Sequence, residues 1–378
     1  MTQTASINDT EELIIWDSQI EMPDPEWMEE PDILTQVLIE RAEQGGYHYL
    51  HESGLAWHRG KLYVGWANHR LWERNIEDEL IRGRVSEDGM TFGPAETWVD
   101  PDPSRGCSYN HPVIATHGGR LWGFFTRWDV NVERPRTEIF QLNDTTQKWE
   151  STGAFIPTFI PFGQPRRTRQ GHWIMSGEMH WWEAAVAICE GDDWTKWTMV
   201  EIPRPADLKF MFPEPTLIER GDQLIALCRP QDHGIALAST SSDGGRTWSV
   251  ISKAKLQITS AKSFAGTLST GQQYLISNHI ADTTRSLMTI ALTEPGGDTF
   301  KKMLKLRHQQ FPRRRVFGGY NLPEMNLKSV DEIKSNVGFT TEWSYPTALE
   351  HEGKLYISYT RGKEDCCMSI VPIHTLKV

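Results

Sequence analysis

The stretch Ser241-Ser242-Asp243-Gly244-Gly245-Arg246-Thr247-Trp248 constrains the fold of this chain more than any other. Two adjacent glycines supply the positive φ of a tight turn, the short Asp243 carboxylate can accept turn N–H groups, and Trp248 can plug inward. Such a unit closes a β-hairpin. Weaker copies occur at Ser86-Glu87-Asp88-Gly89-Met90-Thr91-Phe92, at residues 293–300 with Pro295 in the aspartate position, and at residues 143–149 and 191–197, which keep a polar turn and a closing tryptophan.

A second repeat precedes each copy: an apolar strand, a turn ending in glycine, and an alternating aromatic and aliphatic strand. The turn glycines are Gly60, Gly119, Gly171, Gly221, Gly271 and Gly353. A period of about fifty residues means stacked four-stranded units, and six of them form an all-β, six-bladed propeller of antiparallel sheets. The last interval is longer because a basic insertion, residues 306–341, precedes the final blade. After Tyr359 the last blade runs short of strands, so an N-terminal strand within residues 12–20, Leu13 to Trp16, is expected to close the ring and remove its free edge. The unbroken period makes residues 1–378 a single domain, and Leu34 to Ala42 reads as a short helix capping one face.

Sixteen tryptophans and 10% aromatic residues suit flat sheets packed around a ring. The net charge of −11 argues against nucleic acid as a partner. No apolar run is long enough to span a bilayer, and the first residues lack the pattern of a signal peptide, so a cytoplasmic location is expected. The five cysteines, Cys107, Cys189, Cys228, Cys366 and Cys367, are scattered and read as reduced. No ligand spacing points to a metal, and no cofactor is expected.

In a propeller, inner-strand starts and partner-strand ends converge on one funnel, where pockets form. The starts supply His51, Glu52, Asn110, His111, Glu214, Lys262 and Tyr345; the ends supply Asn68, His69, Arg70, Arg127, Glu178, His180, Arg229, Asn278, His279 and Arg361. Cations, histidines and amides at one rim suit a small anionic or polyhydroxylated ligand, with guanidinium forks pairing to a carboxylate.

The Ser241–Trp248 segment resembles the Asp-box of the sialidase superfamily, S-x-D-x-G-x-T-W, and the whole chain is similar to sialidase-like proteins with BNR repeats. Glu214, followed by Arg229 and then the box at Ser241, resembles the glutamate and substrate-binding arginine of a central sialidase blade. Arg285 resembles the family's third arginine, and Trp343-Ser344-Tyr345-Pro346 resembles the segment with its tyrosine nucleophile. The resemblance implies a glycosidase for an acidic or modified sugar, with Tyr345 as nucleophile, Glu214 as its base, and Arg229 and Arg285 on a carboxylate. Arg127, Arg361, His51, His69, His111, His180 and His279 complete the expected binding set. The chain departs from the family where His51-Glu52-Ser53-Gly54 replaces the first arginine's segment, and where Glu73, Glu77, Asp78 and Glu79 offer no clear match to the acid. Asp78 is carried as the acid.

The chemistry holds without the family. A sugar with a carboxylate on its anomeric carbon repels an anionic nucleophile but not a phenol, and a phenol titrating near 10 needs a base within hydrogen-bond reach. Two rivals draw on the same rim. A propeller lyase would use His51, His111, His180, His279 or Tyr345 as base on a uronate. A non-catalytic binding propeller would stack sugar rings on Trp72, Trp128, Trp181, Trp182 or Trp343.

Overall fold

The computed structural model describes residues 7, 12–42, 46–47, 49–70, 79–101, 106–129, 134–180, 183–208, 211–230, 234–280, 285–308, 311–312, 339–340 and 342–378. Six antiparallel sheets follow one another around a ring, as the period requires. Blade 1 comprises Tyr49–His58, Lys61–His69, Leu80–Ser86 and Glu96–Val99 from the axis outward; blade 2 comprises Cys107–His117, Arg120–Asp129, Arg136–Asn143 and Lys148–Pro157. The inner strand of blade 3 is split into Ile160–Pro161 and Arg166–Arg167, followed by Trp173–Met179, Glu183–Cys189 and Thr198–Glu201. Blade 4 comprises Thr216–Arg220, Gln223–Cys228, Gly234–Ser241 and Ser252–Ile258; blade 5 comprises Phe264–Thr267, Gln273–Asn278, Leu287–Leu292 and Lys302–His308. Blade 6 takes Trp343–His351, Lys354–Arg361 and Asp365–Pro372 from the C-terminal end of the chain. All six inner-hairpin glycines hold positive φ, between 55° and 94°.

The complete turn motif behaves as its composition demands. Asp243 Oδ1 accepts the backbone N–H groups of Arg246 and Thr247, each at 2.9 Å, and the hydroxyl of Ser241 at 2.8 Å. Trp248 Nε1 donates to the Gly245 carbonyl at 2.9 Å. The copy at Asp88 is functional too: its Oδ1 accepts the N–H groups of Met90 and Thr91, both at 2.7 Å. Each of the five copies joins the third and fourth strands of its blade.

Blade 6 has no such turn because its fourth strand comes from the other end of the chain. Thr35–Arg41 pairs antiparallel with Asp365–Pro372 and closes the ring. An N-terminal strand does close the propeller, but it is not Leu13 to Trp16, and the helix expected over Leu34 to Ala42 is this strand. The reason lies in Thr35, Val37 and Ile39: β-branched residues at every second position favour a pleated strand, with Val37 and Ile39 packed against blades 6 and 1. Leu13–Ile14 instead adds a parallel fifth strand to blade 4, in register with Ala254 and Lys255, and Trp16 bridges to Phe300 of blade 5. The segment then passes the outer strand of blade 5, where the Glu29 carbonyl accepts the Lys305 N–H at 2.7 Å.

The expected insertion begins later than residue 306, since the outer strand of blade 5 runs to His308; Phe311–Pro312 then pairs with Phe339–Thr340. Residues 313–338, including Arg313 and Arg314, lie outside the described residues. The core is divided between blades: six apolar clusters each seal the seam between two neighbours, for example Phe124 and Trp194 between blades 2 and 3. A seventh, of Trp128, Ile160, Phe162 and Tyr345, lies where the inner strands begin. All five cysteines are free and buried.

Candidate active site

Four inner strands begin with a backbone fault at the same level of the ring. Glu52, His111, Glu214 and Tyr345 all occupy left-handed conformations, with φ of 61°, 47°, 40° and 56°. In blades 1, 2 and 6 the ladder register slips across the fault, between His51 and Gly54, Asn110 and Val113, and Ser344 and Thr347. Non-glycine residues in this region carry strain, and bulges of this kind re-aim side chains. Four polar side chains are thereby turned together at one end of the axis.

The central contact is a hydrogen bond from the Tyr345 hydroxyl to Glu214 Oε1. Both residues are buried, at 6% and 3% exposure. The other oxygen, Oε2, takes Arg229 Nη1 at 3.1 Å. Against the cost of burial, the charges of Glu214 and Tyr345 hold the Arg229 guanidinium above its ordinary range. A second carboxyl, Glu178, lies behind the pair and accepts the Glu214 backbone N–H at 3.4 Å. Burial, and then the Glu214 charge, push its pKa well above the usual range, which favours the neutral carboxyl.

Arg285 joins this group through Ser260. Arg229 Nε donates to the Ser260 hydroxyl at 2.9 Å, while Arg285 Nε donates to the Ser260 carbonyl at 3.2 Å. Glu342 Oε1 pairs with Arg285 Nη1 at 3.0 Å. Two arginines thus stand side by side next to a phenol and its carboxylate, each with further N–H donors to present.

The remaining residues divide. The His51 ring centroid lies 4.1 Å from that of Tyr345, and His51 Nδ1 bonds the Thr360 hydroxyl at 2.8 Å. Glu52 accepts both the backbone N–H and Nε2 of His111, at 2.7 and 3.0 Å. Burial, followed by the charges of Lys262 and Lys363, pushes His111 down to about 3, so it donates Nε2–H as a neutral imidazole. Lys262, Glu52, His111, Phe162 and Tyr345 line one small cavity, and a larger one of about 340 Å³ follows along the axis between Arg166, Glu219, Tyr274 and Glu350.

Other expected site residues are committed elsewhere. Arg127 pairs with Asp129 at 2.8 Å and Glu138 at 3.2 Å, inside a blade 2 network shared with Arg136. Arg361 is paired with the buried Asp365 of its own hairpin. In both cases a carboxylate near in sequence takes the guanidinium, which the strand-end position alone could not reveal. His69 is buried at the end of the second strand of blade 1, opposite Tyr49. His180 stands 6.4 Å from the Trp128 ring, and His279 is buried, which lowers its pKa.

Trp343 is fully buried and Trp128 nearly so, with its Nε1 bonded to Asn110, so both are packing residues rather than exposed sugar platforms. Asp78, Trp72, Trp181 and Trp182 lie outside the described residues. Sequence reasoning placed Lys262, Glu52 and Glu178 at strand ends but gave them no role. Ser260 and Glu342 had no signal, since their importance rests on which loops meet.

A family model described as a BNR repeat-like domain matches residues 81–357. Among solved structures, a Hadza microbial sialidase is 14% identical, with a TM-score of 0.65 over 90% of this chain and 69% of its own. A Dyadobacter fermentans protein of unknown function is also 14% identical, with a TM-score of 0.61 over 89% of this chain and 98% of its own. Trypanosoma rangeli sialidase in complex with sialic acid is 13% identical, with a TM-score of 0.57; this chain covers 59% of that protein's length. At these identities the likeness establishes the fold. No curated protein matches the chain.

Proposed function

This chain belongs to the BNR repeat-like domain family and has a sialidase-like propeller fold, and from that premise we propose that it is a glycosidase acting on a sugar with an anomeric carboxylate. Glu214 removes the Tyr345 phenolic proton as the phenolate oxygen attacks the anomeric carbon and the glycosidic C–O bond breaks. The leaving oxygen takes a proton from an acid, for which Asp78 is the candidate. Water, giving a proton to the carboxylate left on that acid, then releases the sugar from Tyr345, with Glu214 returning the proton to the phenol.

Arg229 and Arg285 pair with the sugar carboxylate through the donors that Glu214, Ser260 and Glu342 leave open. The observation that carries this reading is the buried hydrogen bond between Tyr345 and Glu214. A carboxylate placed on a phenol is of most use where the phenol must lose its proton. The Trypanosoma rangeli protein was solved with sialic acid, and a substrate of that class is proposed here.

Purified protein should release aryl alcohol from an aryl sialoside or a related ulosonide, and Tyr345→Phe should abolish turnover. Unchanged turnover in that variant would remove the nucleophile. A product absorbing in the near ultraviolet from a uronate-capped oligosaccharide would replace hydrolysis with elimination.

A further inference from the structure

One buried cation has no place in the reaction just described. Lys262 lies two residues before the inner strand of blade 5 and is only 5% exposed. Its Nζ donates to the Pro346 carbonyl at 2.8 Å and lies 5.9 Å from the centroid of the Tyr345 ring and 5.6 Å from that of Phe264. Glu52 of blade 1, His111 of blade 2, Glu214 of blade 4 and Tyr345 of blade 6 surround it. Among the described residues, no carboxylate lies within ion-pairing distance of Nζ, although Glu214 and Glu52 are near enough to attract it. A desolvated ammonium without a direct counter-ion is costly, and it is retained where its charge has a use.

Two of these three contacts fall on Tyr345 and the residue after it. The bond to Pro346 fixes the carbonyl one residue beyond a tyrosine held at φ 56°, in the middle of the slipped register between Ser344 and Thr347. The ammonium over the ring favours the phenolate, whose negative charge spreads into that ring, more than the neutral phenol. We propose that Lys262 is a positioning residue that pins Tyr345 in its strained, base-facing conformation and stabilises the phenolate that Glu214 generates. This role rests on the nucleophile reading above. Burial, opposed by the charges of Glu214 and Glu52, lowers the Lys262 ammonium to about 8. Its charge is therefore present below pH 8 and lost above it, which sets an alkaline limit on phenol activation.

The test separates this role from the enzymatic reading. In protein labelled with ¹³C-tyrosine, the Tyr345 ring resonance, assigned by its loss in Tyr345→Phe, reports phenol ionisation with no substrate present. Lys262→Met should raise its midpoint by about one pH unit, and Lys262→Arg should restore it. On an aryl sialoside, kcat should fall about tenfold in Lys262→Met with KM nearly unchanged, the fall equalling the loss of phenolate. Lys262→Arg should recover kcat and lose the alkaline limb near pH 8.

An unmoved Tyr345 midpoint in folded Lys262→Met overturns the role of Lys262. If that variant does not fold, the unaltered protein decides: a Tyr345 resonance with no inflection near pH 8 overturns the proposal equally. Absence of turnover on every substrate, with the Tyr345 midpoint still moved by Lys262→Met, refutes the glycosidase and leaves the coupling between the two residues standing.

Discussion

The phenol and its carboxylate should fail as one unit, and a double-mutant cycle measures this directly. At pH 7 an unassisted phenol with a pKa near 10 is ionised in about one molecule in a thousand, equivalent to about 4 kcal/mol. The buried bond from Tyr345 to Glu214 is the means of removing that penalty. Glu214→Gln should therefore lower kcat by about 10³-fold, within the range of general-base effects. Tyr345→Phe deletes the nucleophile and should cost at least as much.

Because Glu214 acts through the phenol, the double variant should be no slower than Tyr345→Phe alone, whereas independent roles would multiply to about 10⁶-fold or more. The assay is release of aryl alcohol from a sialoside, with thermal unfolding as a control for folding. Glu214→Gln also removes the counter-charge of Arg229 at 3.1 Å, which should cost about 1–3 kcal/mol of stability. Multiplicative losses in the double variant would refute the coupling, and full activity in Glu214→Gln would refute the base.

Other perturbations test the surroundings of the pair and the scaffold. Burial raises the Glu178 pKa in the fold above its unfolded value, so its contribution to stability is complete below the ordinary pKa of 4.5 and is lost as pH rises through its folded value. Glu178→Gln should therefore flatten the decline of Tm with rising pH and raise Tm most at the alkaline end; a parallel shift at every pH would contradict this. Asp243→Ala removes the acceptor of two turn N–H groups and should cost about 1–2 kcal/mol, by analogy with helix caps. Hydrogen bonds from Thr247, Ser241 and Arg246, outweighing partial burial, lower the Asp243 carboxyl to about 2. Its contribution is present above pH 4 and lost toward pH 2, so Asp243→Ala should match the unaltered protein only in strong acid, as followed by circular dichroism. At Gly54 a β-carbon would meet the Pro112 carbonyl oxygen of blade 2 at 2.4 Å, a backbone contact that cannot rotate away. Gly54→Ala should destabilise by about 1–3 kcal/mol, as overpacking does; an unchanged denaturation midpoint would show that the first two inner strands can part.

Much of the fold was legible because propeller signals are local. A glycine at φ > 0, an aspartate collecting turn N–H groups and a tryptophan closing the turn lie within eight residues of each other, so Ser241 to Trp248 and the glycines from Gly60 to Gly353 could be read before any packing was known. The pairing of Glu214 with Tyr345 came from the order of segments in a related family. The partners of Arg127 and Arg361 were not legible, because a strand-end guanidinium is equally suited to a ligand or to a neighbouring carboxylate, and here Asp129 and Asp365 pair with them.

The sequence by itself determined the repeat, the antiparallel hairpins and the level of the ring at which polar residues gather, since each depends on neighbours within one blade. Only the tertiary structure decided which N-terminal segment closes the ring. Both Leu13–Ile14 and Thr35–Arg41 carry strand-forming residues, and the choice between blades 4 and 6 depends on which edges the rest of the chain leaves unpaired. The same holds for the buried charges around Tyr345. Glu52, Glu178, Glu214, Arg229, Lys262 and Arg285 come from four different blades, and their protonation and pairing are set by distances that exist only once the ring is closed.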